Sequence, residues 1–126
     1  MKIIIPLCPV TKKNHQQIKW SFKKKRRYIG QSDQYIQYEK DFCTVCPRID
    51  SPISTPVNIK ALYYMETKRK VDLSNLHSAL LDCLQKAEII SDDDSKIVVS
   101  LDGSRVLYDK ENPRTEVEII ERTEIC

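Results

Sequence analysis

The sequence predicts an α+β fold in which a single mixed β-sheet is combined with two main helices. Segments that alternate apolar and polar residues, as half-buried strands do, are interrupted by two segments with the period of a helix. The second helical segment has the stronger pattern, because leucines recur on one face at i, i+3 and i+4 spacing: Leu73, Leu76, Leu80, Leu81 and Leu84. The 126 residues suffice for one core, so we predict one domain over residues 1–126.

The first half of the chain contains a strand, a hairpin and a helix. Residues 2–8 are predicted to form an apolar strand that Pro6 and Pro9 end. Ile18–Phe22 and Tyr28–Ile29 alternate on either side of a basic run, which predicts a hairpin with that run at its tip. Ser32 or Asp33 can cap the first helix, which is predicted to run to about Phe42.

The second half begins with the central strand, predicted at Val57–Met65. Asp72 precedes the leucine helix, and we expect its carboxylate to accept hydrogen bonds from the first-turn amides. The remaining predicted elements are strands at Lys96–Leu101, Arg105–Tyr108 and Thr115–Ile120, the first two joined by a hairpin-like turn at Asp102-Gly103-Ser104.

Charge is distributed unevenly along the chain. Residues 1–71 contain 15 Lys or Arg and 5 Asp or Glu, whereas residues 72–126 contain 6 and 13. A basic half beside an acidic half indicates a surface for a polyanion next to a group that needs cations.

Acidic residues occur in two places around the leucine helix. Asp72 opens it, and Asp92, Asp93 and Asp94 follow it. The run of three is interpreted either as a solvated turn or as part of a Mg²⁺ or Mn²⁺ site, if the returning strand brings it beside Asp72. Asp82 is about 15 Å along the helix from Asp72 and is assigned a supporting role.

Basic residues form the candidate phosphate-binding surfaces. The tip run consists of Lys23, Lys24, Lys25, Arg26 and Arg27, and a second group precedes Asp72: Lys68, Arg69 and Lys70. Such runs are often only solvated turns, but a dense, projecting run can also contact phosphates without regard to base sequence.

Other chemistries are disfavoured by the sequence. Cys43 and Cys46 have no second ligand pair for zinc, and His77 falls on the leucine face, where a packed imidazole is expected. Gly30 and Gly103 are the only glycines, so no phosphate-binding loop for a nucleotide cofactor exists. No apolar run is long enough for a membrane span, and without an export signal we predict a cytoplasmic protein with reduced cysteines.

The motifs between Val71 and Ser104 resemble those of the RusA-type Holliday-junction resolvases. The shared features are Asp72-Leu-Ser-Asn75, the leucine helix with Asp82, and Asp93-Asp94 before Ile97. Three further motifs agree with this resemblance: Thr11-Lys12-Lys13-Asn14, Asp102-Gly103-Ser104-Arg105 and Asn112-Pro113-Arg114-Thr115.

The resemblance implies a RusA-like, intertwined homodimer that cuts four-way DNA junctions in recombination and repair. It implies a Mg²⁺ or Mn²⁺ ion held by Asp72 and Asp94, with Asp93 as an alternative ligand or a water-orienting group and Asn75 as a neutral ligand. Asp72, Asp94, Asp93 and Lys70 are the implied catalytic residues, with Lys70, Arg69 or Arg105 stabilising charge on the phosphate. DNA contacts are assigned to Lys12, Lys13, Asn14, Arg105 and the two basic groups.

Two positions depart from the family pattern. Ser74 occupies the position of a second aspartate, and Ser78 that of a lysine. A Gram-positive, prophage-like branch of the family tolerates Asp-Leu-x-Asn, so we assign the chain there. The alternatives are a non-catalytic branched-DNA-binding protein with a degenerate metal site, and a phage interaction protein whose charge asymmetry serves dimerisation alone.

Overall fold

The computed structural model describes residues 1–12 and 16–122, and these form seven strands and two helices. In chain order they are β1 (Lys2–Ile5), β2 (Gln16–Ser21), β3 (Arg26–Gln31), α1 (Asp33–Val45), β4 (Val57–Met65), α2 (Leu73–Lys86), β5 (Val98–Ser100), β6 (Arg105–Tyr108) and β7 (Arg114–Glu121). Lys13 and Asn14 lie outside the described residues.

The main sheet is mixed, as the sequence predicts. Its order is β1-β7-β4, and β5 and β6 share the remaining edge of β4. β7 pairs antiparallel with both β1 and β4, whereas β5 and β6 run parallel to β4. The α+β class with two main helices is therefore confirmed.

The core lies between one face of this sheet and the two helices. Alternate residues of β4 are buried on that face: Val57, Ile59, Ala61 and Tyr63. They belong to one apolar cluster with Tyr35 and Phe42 of α1 and with Leu76, Leu80 and Leu84 of α2. The leucine spacing that predicted α2 thus identifies its buried face.

The turn between β5 and β6 is not a hairpin. Both strands pair in parallel with β4 rather than with each other, at Val57–Asn58 and at Leu62–Met65. The buried Asn58 side chain holds the turn: its Oδ1 accepts from Ser100 Oγ at 2.5 Å and from the Asp102 amide at 2.8 Å, and its Nδ2 donates to the Asp102 carbonyl at 3.2 Å. The prediction of a hairpin-like turn was wrong because this side chain keeps both strands on one edge of β4.

The predicted hairpin forms from β2 and β3, which within residues 1–12 and 16–122 pair only with each other. Ser21 pairs with Arg26, so the loop consists of Phe22, Lys23, Lys24 and Lys25. Lys25 has a φ of 51°, the left-handed conformation that commonly closes such loops. Arg26 and Arg27 of the basic run therefore lie in β3 rather than in the loop.

Several boundaries differ from the prediction, among them those of β1, α1 and the short β5. β1 ends at Ile5 because Pro6 has no amide for the ladder, and α1 continues to Val45, close to Pro47. None of the helices in the described ranges has the length and apolar character needed to cross a membrane.

Candidate functional site

The two acidic groups lie at opposite ends of the β4–α2–β5 unit. Asp72 follows the end of β4 and starts α2. The acidic run follows the end of α2 and leads into β5, which pairs in parallel with the beginning of β4. Because α2 has 14 residues and is about 21 Å long, the prediction that the run lies beside Asp72 in the same chain was wrong.

Asp72 starts α2 through its backbone and not through its carboxylate. Its carbonyl oxygen accepts from the amides of Asn75 and Leu76 at 3.1 and 3.2 Å. The side chain makes no cap hydrogen bond, contrary to the prediction, and instead Oδ2 accepts from Asn75 Nδ2 at 3.3 Å. This exposed carboxylate at a helix N-terminus is therefore available to an external ligand.

Two of the basic residues before Asp72, Arg69 and Lys70, line a shallow hollow at the same end. Lys68, Arg69 and Lys70 are exposed, and Lys68 Nζ lies 5.1 Å from the centre of the Tyr108 ring. The hollow has a volume of 390 Å³ and is lined by Pro9, Val10, Thr11, Met65, Thr67, Arg69, Lys70 and Val71. Two cations beside an exposed carboxylate give this end of the molecule a site where a phosphate can approach.

The acidic run forms a tight turn, the acidic turn, at the other end. Asp94 organises it: its Oδ1 accepts from the Lys96 amide at 2.9 Å, and its carbonyl accepts from Ile97 and Val98 at 3.1 and 2.9 Å. Asp92 Oδ1 accepts from the Asp93 amide at 2.7 Å. Within residues 1–12 and 16–122, the Asp93 carboxylate makes no hydrogen bond, so Asp93 is the freer of the two predicted ligands.

A single chain does not gather a metal site from its described residues. Among them, no group of three or more His, Cys, Asp or Glu side chains could hold a metal ion. Asp72 with Asn75, and Asp93 with Asp94, are each half of the predicted ligand set. The predicted set therefore does not fit an ion within one chain.

Lys12, which is predicted to contact DNA, and Asp82, which is predicted to be a supporting residue, contact each other. They form an ion pair in which the side chains are 31% and 29% exposed. This pair joins the segment after β1 to α2. Asp82 lies far from Asp72, as its position on the helix predicts, and Lys12 already has an anionic partner.

The remaining predicted DNA contacts are exposed cations. Lys23, Lys24, Lys25, Arg26 and Arg27 are all exposed on the hairpin, and Arg105 is exposed at the start of β6. Arg105 lies opposite Leu62 in the sheet register, halfway along β4. The two basic groups and Arg105 therefore occupy different elements.

His77 packs in the core, as expected from its position on the leucine face. It is 8% exposed, and its Nδ1 lies 2.7 Å from the Tyr63 hydroxyl. Burial lowers the pKa of the imidazole, which is therefore neutral near pH 7. Burial also raises the pKa of the Cys46 thiol to about 11 and that of Cys83 to about 12, so both stay protonated.

A partly buried cluster around Arg114, near the end of β4 that precedes Asp72, was not predicted from the sequence. Arg114 donates to Asp109 Oδ2 at 2.9 Å and to Glu116 Oε2 at 2.7 Å, and its guanidinium lies 3.7 Å from the centre of the Tyr64 ring. A hydrogen bond from Arg114 lowers the pKa of Asp109. The available signal was Asn112-Pro113-Arg114-Thr115, which the sequence offers only as a motif of the family resemblance.

Together, these features define a small α+β domain with cationic surfaces on several elements and two separated acidic groups. The family model described as Endodeoxyribonuclease RusA matches residues 6–120. The chain therefore belongs to the RusA family of endodeoxyribonucleases, the RusA-type Holliday-junction resolvases. A search of curated proteins found no significant match.

Proposed function

We propose that the protein is a Mg²⁺- or Mn²⁺-dependent endonuclease that cuts four-way DNA junctions as a homodimer. Its biological setting would be DNA recombination and repair, and we retain the assignment to a Gram-positive, prophage-like branch as part of the proposal. Family membership supports the nuclease class. The single observation that carries the dimeric form is the separation of Asp72 from the acidic turn by the length of α2.

In the proposed dimer, each metal site combines residues of two subunits. Asp72 and Asn75 of one subunit face Asp94, or Asp93, of the partner subunit. An isologous contact makes every such pairing occur twice, so one twofold axis produces two equivalent sites. Two sites related in this way suit paired cuts in a junction that has similar symmetry.

The exposed apolar side chains of the main sheet support association of two copies. On the face away from the helices, Ile4 is 52% exposed and Ile120 is 41% exposed. Leu62 and Tyr64 alternate with the buried residues of β4 and are only partly buried there. A second copy covering this face would remove that apolar surface from water.

Protein groups near the proposed site have separate tasks. A bound divalent cation would supply charge neutralisation at the phosphate and would lower the pKa of the attacking water. Lys70 and Arg69, which line the hollow near Asp72, would hold the scissile phosphate. Arg105 and the hairpin cations would contact backbone phosphates of the junction arms. Such contacts would select a junction by its shape rather than by its base sequence.

The test is cleavage of a synthetic four-way junction in Mg²⁺ or Mn²⁺. We expect paired, symmetric nicks that disappear in Asp72→Asn and in Asp94→Asn while junction binding persists. Asp41→Asn, which changes a carboxylate of α1 outside both acidic groups, is the matched control and should cut normally. Junction binding without cleavage in either metal would contradict the proposal that the protein is an endonuclease.

The alternative is a non-catalytic protein that binds branched DNA. Ser74 favours it, because a hydroxyl replaces a carboxylate next to Asp72 and Asn75 and the site has one anionic ligand fewer. The same cleavage assay separates the two functions. Restoring the carboxylate with Ser74→Asp should raise metal affinity in either case, but it creates cleavage only if the rest of the site is intact.

A further inference from the structure

The β2–β3 hairpin exposes large apolar side chains on one of its faces. Ile18, Trp20 and Phe22 alternate along β2 and into the loop, and they are 74%, 49% and 86% exposed. Residues spaced by two in a strand point to the same side, so Ile18 and Trp20 share one face of β2, and Phe22 follows them as the first residue of the loop. We call Ile18, Trp20 and Phe22 the apolar stripe.

The apolar stripe is not explained by the fold of one chain. In the part of the chain that the structure describes, the hairpin pairs with no strand of the main sheet. Lys19, on the other face of the hairpin, contacts Asp33 of α1 at 3.5 Å. An isolated two-stranded hairpin is only marginally stable. The three exposed side chains do not stabilise it, because they remove little apolar surface from water within one chain. Contiguous exposed apolar side chains instead mark a binding surface.

The positive charges around the apolar stripe indicate the kind of partner that it binds. Residues 16–31 contain six Lys or Arg and no Asp or Glu. Arg27 lies directly opposite Trp20 in the register, on the same side as the stripe, and Lys23 to Lys25 form the adjoining loop. Aromatic rings interleaved with cations are the combination that binds nucleic acid through base stacking and phosphate contacts.

We propose that Trp20 and Phe22 stack on unpaired or unstacked bases at the branch point of the DNA. The cations beside them hold the phosphates that flank those bases. This inference rests on the proposed function, since it assumes that the protein binds branched DNA. It adds a contact to bases, which a fully paired duplex arm does not offer because its bases are stacked inside the helix.

Trp20 is the only tryptophan in the chain, so its fluorescence reports on the hairpin directly. The wild-type protein is titrated with a four-way junction carrying 2-aminopurine at the branch point, and with a duplex of the same sequence and length. We expect Trp20 quenching and a change in 2-aminopurine emission with the junction, and neither signal with the duplex at equal saturation.

Variants separate stacking from other roles of the hairpin. Trp20→Leu with Phe22→Leu keeps the apolar surface and removes both rings, and it should weaken junction binding by roughly fivefold or more for each ring. Duplex affinity and the salt dependence of binding should not change. Trp20→Phe with Phe22→Tyr retains both rings and is the matched control that should preserve junction affinity.

Several outcomes would overturn the inference. Junction binding and cutting without Trp20 quenching, or unchanged junction affinity in the leucine variant, would exclude stacking. A leucine variant that becomes monomeric in sedimentation velocity would assign the stripe to a second copy of the chain. Failure of the wild-type protein to bind any DNA at low salt would instead overturn the proposed function, and this inference with it.

Discussion

Asp72 starts α2 and Asp94 lies eight residues beyond its last residue, so the two carboxylates are separated by the whole helix. This separation follows from the β4–α2–β5 connection. A helix that joins two parallel strands begins where the first strand ends and finishes where the second strand begins. The carboxylates of one chain therefore lie at opposite ends of the β4–α2–β5 unit, and the proposed function requires them to meet across a dimer.

The hairpin cations should set the salt dependence of DNA binding. The triple variant Lys23→Gln, Lys24→Gln and Lys25→Gln is expected to weaken junction and duplex binding alike. A plot of the logarithm of the association constant against the logarithm of the salt concentration should have a shallower slope, by about 0.9 for each phosphate that the variant no longer neutralises. Lys40→Gln, at an exposed position in α1, is the control whose slope should equal that of the wild type. If the slope of the triple variant equals that of the wild type, the hairpin loop does not contact DNA phosphates.

The Lys12–Asp82 pair should contribute to stability and not to chemistry. Asp82→Ala and Lys12→Ala, combined in a double-mutant cycle, should give a coupling free energy of about 0.5–1 kcal/mol in urea unfolding, because both side chains are partly exposed. Asp82→Asn should retain the cleavage that Asp72→Asn abolishes. An Asp82→Asn protein that is folded but cannot cleave would show that Asp82 takes part in the cleavage reaction.

Because of His77, the free energy of unfolding should decrease when the pH is lowered to mildly acidic values. Burial lowers its pKa in the folded state, so below about pH 6.5 the unfolded chain binds a proton that the folded chain does not. The free energy of unfolding should therefore drop as pH falls from 7.5 to 5.5, by at most about 1.4 kcal/mol from this residue. The measurement is urea unfolding at the two pH values.

His77→Gln is the comparison for this pH effect, because it removes the titration and leaves a polar side chain near the Tyr63 hydroxyl. Its stability should depend less on pH over the same interval. A pH dependence equal to that of the wild type would show that other groups are responsible.

Asn58 should be essential to the edge of the sheet. Its side chain makes three hydrogen bonds to Ser100 and Asp102, and it is 2% exposed. Asn58→Leu leaves those groups unpaired and should lower the free energy of unfolding by about 1–3 kcal/mol. Asn112→Leu, an exposed site in a loop, should change stability by less than about 0.5 kcal/mol. Similar decreases at both positions would contradict the anchoring role of Asn58.

Local patterns predicted the elements well because each depends on residues close in sequence. The leucine spacing identified the buried face of α2, and the alternation from Val57 to Met65 identified the central strand. The position of Asp94 relative to Asp72 depends instead on the direction in which β5 pairs, and a strand as short as Val98–Ser100 carries no information on direction. The Asn58 anchor and the contact of Arg114 with the Tyr64 ring likewise join separate elements, so the residues close to them in sequence do not indicate them.

Subunit complementation tests the central claim most directly. Inactive Asp72→Asn and Asp94→Asn proteins are mixed under conditions that allow subunits to exchange, which tagged wild-type chains verify. If each site combines two subunits, the mixed dimer carries one site with both substitutions and one site with neither. Each mixed dimer should then cut one junction strand. At random exchange about half of the dimers are mixed, so about a quarter of all sites should be active. A mixture that exchanges subunits and remains inactive would contradict sites shared between subunits, because sites within one chain cannot complement each other.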